Sequence, residues 1–188
     1  MELQARDPNY DERTYASFDR QGFMHHLGAR IVQLQPGHVV VEVKFGELLS
    51  QQHGYFHGGV VAALADVASG YAAFSLLEAD ASNVTVEFKL NLLAPAEGER
   101  LVARGSVIKP GKTLTVCQSN VFSATGAGER LCATALGTFM ALPGKAERSR
   151  RRTRCPTSGW SGLASVGFAH FREPFTRDVG HHDLRPRA

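Results

Sequence analysis

Cysteine and tryptophan are scarce in this chain, with three Cys and one Trp in 188 residues. Cys117, Cys132 and Cys155 are odd in number and lack close paired spacing, which excludes a disulfide framework or a cysteine-rich zinc module and favours a reducing, cytoplasmic setting. The opening MELQARDPNYDERTYASF has neither the basic start nor the apolar run of a secretory signal. No GxSxG elbow or Ser-His-Asp arrangement occurs, so serine-nucleophile chemistry has no support. Long apolar runs are nearly absent as well. The exception, GGVVAALADVASGYAAFSLL at 58–77, holds one charge, Asp66, near its middle and has no Lys or Arg within ten residues of either end. A central carboxylate without basic anchors argues against a membrane span, and the segment reads as a soluble helix enclosed by its own fold.

What is present suffices for one ordinary core: 43% of residues are hydrophobic and 21% charged, with a formal net charge of +3. That charge is unevenly placed. Residues 1–144 carry 11 basic and 14 acidic side chains, whereas 145–188 carry 10 and 4. The tail opens with KAERSRRRTR, shows no helical or strand period, and reads as disordered. A nucleic-acid or anionic-surface arm is the rival reading, disfavoured because no DNA-reading motif accompanies the arginines.

Residues 11–28 read as an amphipathic helix through Tyr15, Phe18, Phe23, Met24 and Leu27, stopped by Gly28. VVVEVKF, after Pro36-Gly37, alternates as a strand with one wet face. After the 58–77 helix, Val84, Val86, Phe88, Leu90 and Leu92 alternate with Thr85, Glu87, Lys89 and Asn91, which assigns a strand whose apolar face needs a cover and places Thr85 on the polar face. Runs at 99–108, 113–124 and 130–142, separated by KPGK and ATGAGE, read as a meander. A helix without a polar stripe must be wrapped on most sides, and a curling antiparallel sheet does so, giving an α+β fold. The chain divides into an N-terminal segment, 1–28, one domain, 29–144, and the tail, 145–188.

The chemistry concentrates in QQHGYFHGGVVAALAD, residues 51–66. Gly58 and Gly59 stand where the helix begins, either as a turn or as unshielded backbone N–H groups that suit an oxyanion. Asp66 shares its surroundings with Ala62, Ala63, Ser69, Gly70 and Ala73, small residues that permit close approach by a substrate or a second helix. A carboxylate there is either satisfied by hydroxyls or, with its pKa raised by desolvation, does proton chemistry. Gly59 and Asp66 lie seven residues apart, about 10.5 Å along one helix. A base and an oxyanion donor must both come within about 3 Å of one reacting group. Two antiparallel copies of the helix resolve this, so an obligate homodimer with two shared sites is predicted. His53 and His57 have a zinc-pair spacing, but the glycines around them make the stretch a loop and no third ligand is evident, so no metal is assigned. His57 reads instead as a donor or a loop-fixing hydrogen-bonder. Phe56, Tyr71 and Phe74 are the expected apolar lining of a substrate pocket.

HGYFHGGVVAALAD at 53–66, TVEFKLNLLAPA at 85–96 and KPGKTL at 109–114 together resemble the hotdog-fold acyl-CoA thioesterases of the phenylacetate-pathway (PaaI-like) type, a group similar to the mammalian thioesterase-superfamily member 2 proteins. The resemblance implies a long helix wrapped by five or six antiparallel strands, dimers that often pair into tetramers, and acyl-CoA hydrolysis with no metal or cofactor. By the same resemblance Asp66 is the catalytic carboxylate, Gly59 the backbone donor to the thioester oxygen, and His57 the histidine beside it. Gln51 matches an amide that helps polarise the carbonyl, and Thr85 a hydroxyl that assists the carboxylate. Lys109, Gly111, Lys112 and Thr113 match the turn that contacts coenzyme A. The alternatives are a non-catalytic acyl-CoA sensor and a hotdog acyl-thioester dehydratase. The acyl group is left open, since aryl and medium aliphatic chains suit the same lining.

Overall fold

The structure, a computed structural model, describes residues 3–145. The readings of the basic tail and of Cys155 lie outside these residues. The helix expected over 11–28 is two helices, α1 (Tyr10–Phe18) and α2 (Gly22–Leu27). The backbone leaves helical geometry at Gln21 (ψ 96°), and Gly28, at φ 69°, caps α2 as the sequence suggested. The break resets the helical phase. Phe18, Met24 and Leu27 are therefore buried, while Tyr15 and Phe23, assigned to the same face, are exposed.

A strand that the alternation did not reveal, β1 (Arg30–Gln35), precedes β2 (His38–Lys44). Its pairing slips between Ile31 and Gln33, so RIVQLQ carries no clean period of two. Then come α3 (Gly58–Phe74), β3 (Ser82–Leu92), β4 (Arg100–Lys109), β5 (Leu114–Thr125) and β6 (Gly128–Leu142). All pairings are antiparallel, in the order β1-β2-β4-β5-β6-β3. The meander holds for β4, β5 and β6. Strand β3 does not join β4, because α3 carries the chain across the sheet to the opposite edge, where β3 pairs with β6.

The sheet curls around α3, and the core lies between them. Val39, Val41 and Val43 of β2, Leu101 and Ala103 of β4, and Val121 of β5 pack with Val61, Leu64, Ala65, Ala68 and Ala72 of the helix. Gly105 lets β4 approach so closely that a Cβ at this position would collide with the Ala68 carbonyl. Among the described residues, enclosure of α3 is incomplete: along one helical stripe Gly59 is exposed and Ala62, Ala63, Asp66, Val67 and Gly70 stay part-exposed. Ser69 and Ala73, grouped with Asp66 from sequence, are buried on other sides.

Strand β3 departs from its simple alternation. Asn83 and Thr85 both reach α3, the first through a 2.8 Å hydrogen bond to the Gly70 carbonyl and the second through Asp66. A bulge between Thr85 and Glu87 then shifts the phase, so that Leu90 packs on the core while Glu87 accepts a hydrogen bond from Thr138 on the outer face. Among the described residues, the cover expected for the apolar side chains is incomplete: Val84, Val86, Phe88 and Leu92 are 41–61% exposed along this edge. Among the described residues, no helix is long and apolar enough to cross a membrane.

Candidate active site

The turn at residues 51–55 aims the chain into α3. Gln51 accepts a hydrogen bond from the His53 backbone through its side-chain oxygen, at 2.7 Å, and bonds Tyr55 and Gly54 through its backbone. Phe56 is not pocket lining. It is buried in the core, edge-on to Phe45 at 5.1 Å. His57, at φ −62° and ψ 139°, is the N-cap of α3, and its Nδ1 accepts the Gly59 N–H at 2.9 Å. The ring thus carries its proton on Nε2 when it caps. Among the described residues, nothing accepts the N–H of Gly58, at the first helical position. Both glycines keep the helix start bare, and a Cβ at Gly59 would press on the imidazole at 3.0 Å.

Two turns further along the same stripe stands Asp66. Its Oδ1 accepts from the Thr85 hydroxyl at 2.9 Å, which overturns the placement of Thr85 on the far face of the strand; the reason is the bulge that follows Thr85. Burial raises the Asp66 pKa above the ordinary carboxylate value, and the Thr85 hydrogen bond partly opposes that rise by favouring the charged form. A carboxylate so placed is a stronger base than a solvated one, with one oxygen fixed by Thr85 and the other available to a water.

Beside Asp66 opens a pocket of about 200 Å³, running along α3 past Val67, Gly70, Tyr71 and Phe74 and bounded across from the helix by Thr85 and Phe139. Tyr71 and Phe74 line it as expected. Ser17, Gln21 and Asn83 also line it and were not identified from sequence. Nothing local marks them: Ser17 and Gln21 lie in and just after a helix distant in the chain, and reach the pocket only because that helix docks on α3.

Lys109, Lys112 and Thr113 are exposed on the β4–β5 turn, and Gly111 packs so tightly on the Leu114 carbonyl that a Cβ would collide with it. Pro110 and Gly111 share a surface hollow with Leu76 and Leu77, which follow α3, so this turn stands at the C-terminal end of the helix. Gly59 stands at the other end of a helix about 25 Å long. Within one chain the structure therefore joins Asp66 to Thr85 and His57 to Gly59, sets the two pairs and the lysine turn at different points along α3, and leaves the Gln51 side chain bonded within its own turn. The two described cysteines take no part: both are buried, with the Cys117 thiol pushed up to about 12 and that of Cys132 also raised, in each case by burial.

Comparison with known proteins places these features in a wider set. The model of the thioesterase superfamily matches residues 53–129, which spans the turn, α3, β3, β4 and β5. The chain is similar to the solved structure of a thioesterase family protein from Silicibacter pomeroyi, with 48% identity and a TM-score of 0.71 over 72% of this chain and 99% of the other. It is 30% identical over 104 residues to the 1,4-dihydroxy-2-naphthoyl-CoA hydrolase of Listeria monocytogenes, covering 55% of this chain and 85% of the relative. It is also 36% identical over 85 residues to acyl-coenzyme A thioesterase 13 of Homo sapiens, covering 45% of this chain and 60% of the relative.

Proposed function

This chain belongs to the thioesterase superfamily and is a thioester hydrolase, and we propose that it cleaves an acyl- or aryl-CoA thioester to the free acid and coenzyme A at two sites shared across a homodimer. The observation that carries this reading is the single stripe of α3 on which Gly59 lies exposed and Asp66 part-exposed, too far apart to act on one carbonyl. Packing this stripe against its own copy in the antiparallel sense sets Asp66 of one protomer against Gly59 of the partner subunit. The lysine turn, at the C-terminal end of α3, then lies toward the start of the partner's helix, where a coenzyme A tail can reach it. The uncovered residues of β3 support the same pairing, since an apolar edge strand is a hazard unless another chain covers it. These side chains are already about half buried, so covering the rest contributes roughly 1 kcal/mol each before the cost of association.

In this arrangement Asp66 takes a proton from water while the water oxygen attacks the thioester carbon. Negative charge develops on the carbonyl oxygen opposite the helix start, where the Gly59 N–H of the partner subunit and the helix dipole stabilise it. The intermediate collapses by breaking the C–S bond, and the proton held by Asp66 passes to the departing coenzyme A sulfur. His57 takes part as well: its Nδ1 accepts the Gly59 N–H at 2.9 Å, and the oxyanion replaces it as acceptor when the imidazole swings aside. The phosphates of coenzyme A pair with Lys109 and Lys112.

Thiol release from a panel of aryl- and alkyl-CoAs tests the reading. The wild-type chain is expected to release thiol, and Asp66→Asn to lower turnover by about 10²–10⁴-fold, the range for loss of a general base. Unchanged turnover in Asp66→Asn contradicts the mechanism. Enoyl product from a 3-hydroxyacyl thioester, without thiol, contradicts the reaction class.

A further inference from the structure

The far end of the Asp66 pocket is built by the N-terminal helix rather than by the sheet. Ser17 and Gln21 both reach the Tyr71 hydroxyl, each at 3.0 Å, and Phe18 packs on the same ring at 5.6 Å. Phe74, the last helical residue along the pocket, lies eight residues from Asp66, about 12 Å along α3. Beyond it stands Arg13. Its Nε donates to Asp7 Oδ2 at 2.7 Å, and its other nitrogens donate to the carbonyls of Phe74 (3.4 Å), Leu77 (3.0 Å) and Ala81 (3.1 Å). The guanidinium also lies 4.3 Å above the Phe74 ring. Asp7 is only 4% exposed, so the ion pair is enclosed and its geometry constrained.

A cation that satisfies carbonyls at the C-terminal end of a helix complements the dipole and supplies partners that the helix end lacks. Here it also ties α1 to α3 and to the start of β3 at one point. Lysine cannot substitute for it, since only the planar fork serves Asp7 and several carbonyls together. The pocket itself has a volume of about 200 Å³, and Ser17 and Gln21 bound it on the side of α1.

Resting on the acyl-CoA hydrolase reading above, we infer that α1, locked over the end of α3 by Arg13, is the end-stop of the acyl pocket and restricts the enzyme to acyl groups of about the size of one ring or a short chain. Gln21 is a specificity-determining residue at that stop. Arg13 touches no substrate and is a positioning residue.

The test measures kcat/KM by thiol release from butanoyl-, octanoyl-, dodecanoyl- and hexadecanoyl-CoA with the full chain and its Gln21→Ala, Gln21→Trp and Arg13→Met variants. The wild type is expected to disfavour hexadecanoyl-CoA against butanoyl-CoA by at least about a hundredfold, within the range that misfit methylenes produce. Gln21→Ala and Arg13→Met are expected to raise the dodecanoyl-to-butanoyl ratio about tenfold or more, and Gln21→Trp to lower the octanoyl-to-butanoyl ratio. A merely structural role for Arg13 would lower all four substrates together and leave the ratios in place. If Arg13→Met does not fold, the two Gln21 variants decide. A wild type that turns over hexadecanoyl-CoA as fast as butanoyl-CoA overturns the proposal, as do unchanged ratios in both folded Gln21 variants. Absence of thiol release from these four and from the aryl-CoAs of the first panel overturns the acyl-CoA reading and this proposal with it.

Discussion

Two hydrogen bonds carry the residue-scale argument, Thr85 to Asp66 and Gly59 to His57. The first tunes the carboxylate proposed as the base. Burial makes Asp66 hold its proton more tightly, and the Thr85 hydroxyl, donating to the carboxylate, loosens it again. Removing the hydroxyl therefore raises the pKa of Asp66. A general base must be ionised, so the acid limb of the kcat/KM profile moves to higher pH in Thr85→Val. Turnover on that limb is expected to fall about tenfold or more, in line with the ~1.5 kcal/mol of a hydrogen bond to a charged group. A pH profile of thiol release checks this; a limb that stays in place means that Thr85 does not act through the carboxylate. The second hydrogen bond shows what kind of prior information a residue motif holds. HGG at 57–59 was readable as a bare helix start, but that the imidazole itself caps the start depends on a rotamer that spacing does not specify.

At the scale of elements, close approach governs where the site sits. Gly105 brings β4 onto the Ala68 carbonyl, and that contact fixes the depth at which α3, and with it Asp66, lies in the sheet. Gly105→Ala is expected to destabilise the fold by about 1–3 kcal/mol or more, the usual cost of overpacking, with a matching fall in melting temperature. A melting temperature equal to the wild type would show that this contact does not constrain the helix. Five of the six strands were legible from alternation or from the turn residues between them, and the central helix from its long apolar run. The illegible parts share one cause: a local shift of phase. The slip at Ile31–Gln33 hid β1, the non-helical Gln21 hid the division of α1 from α2, and the bulge after Thr85 hid which face of β3 meets the helix. Pairing order was hidden too, since β3 sits beside β6 for a reason that lies in the path of α3 and not in the composition of either strand.

For the whole molecule, the protomer leaves unfinished surfaces that the helix and the edge strand share: the stripe from Gly59 to Gly70 and the apolar residues of β3. Residues 51–66 stood out as a candidate site because their motif is contiguous, but the part of the pocket lined by Ser17 and Gln21 did not, since these meet Tyr71 only through tertiary docking. The proposed sharing of two sites has a consequence that no single-chain site can imitate. A heterodimer of Asp66→Asn with Gly59→Pro contains one site with both defects and one with neither. Each variant alone is expected to be nearly inactive. The most direct measurement unfolds and refolds the two together in equal amounts and follows thiol release from an acyl-CoA that the wild type cleaves. Random pairing makes half the dimers mixed, and with one intact site in two, about one quarter of wild-type turnover returns. Turnover that stays at the level of the separate variants, in a mixture shown to contain heterodimers, would contradict the shared site.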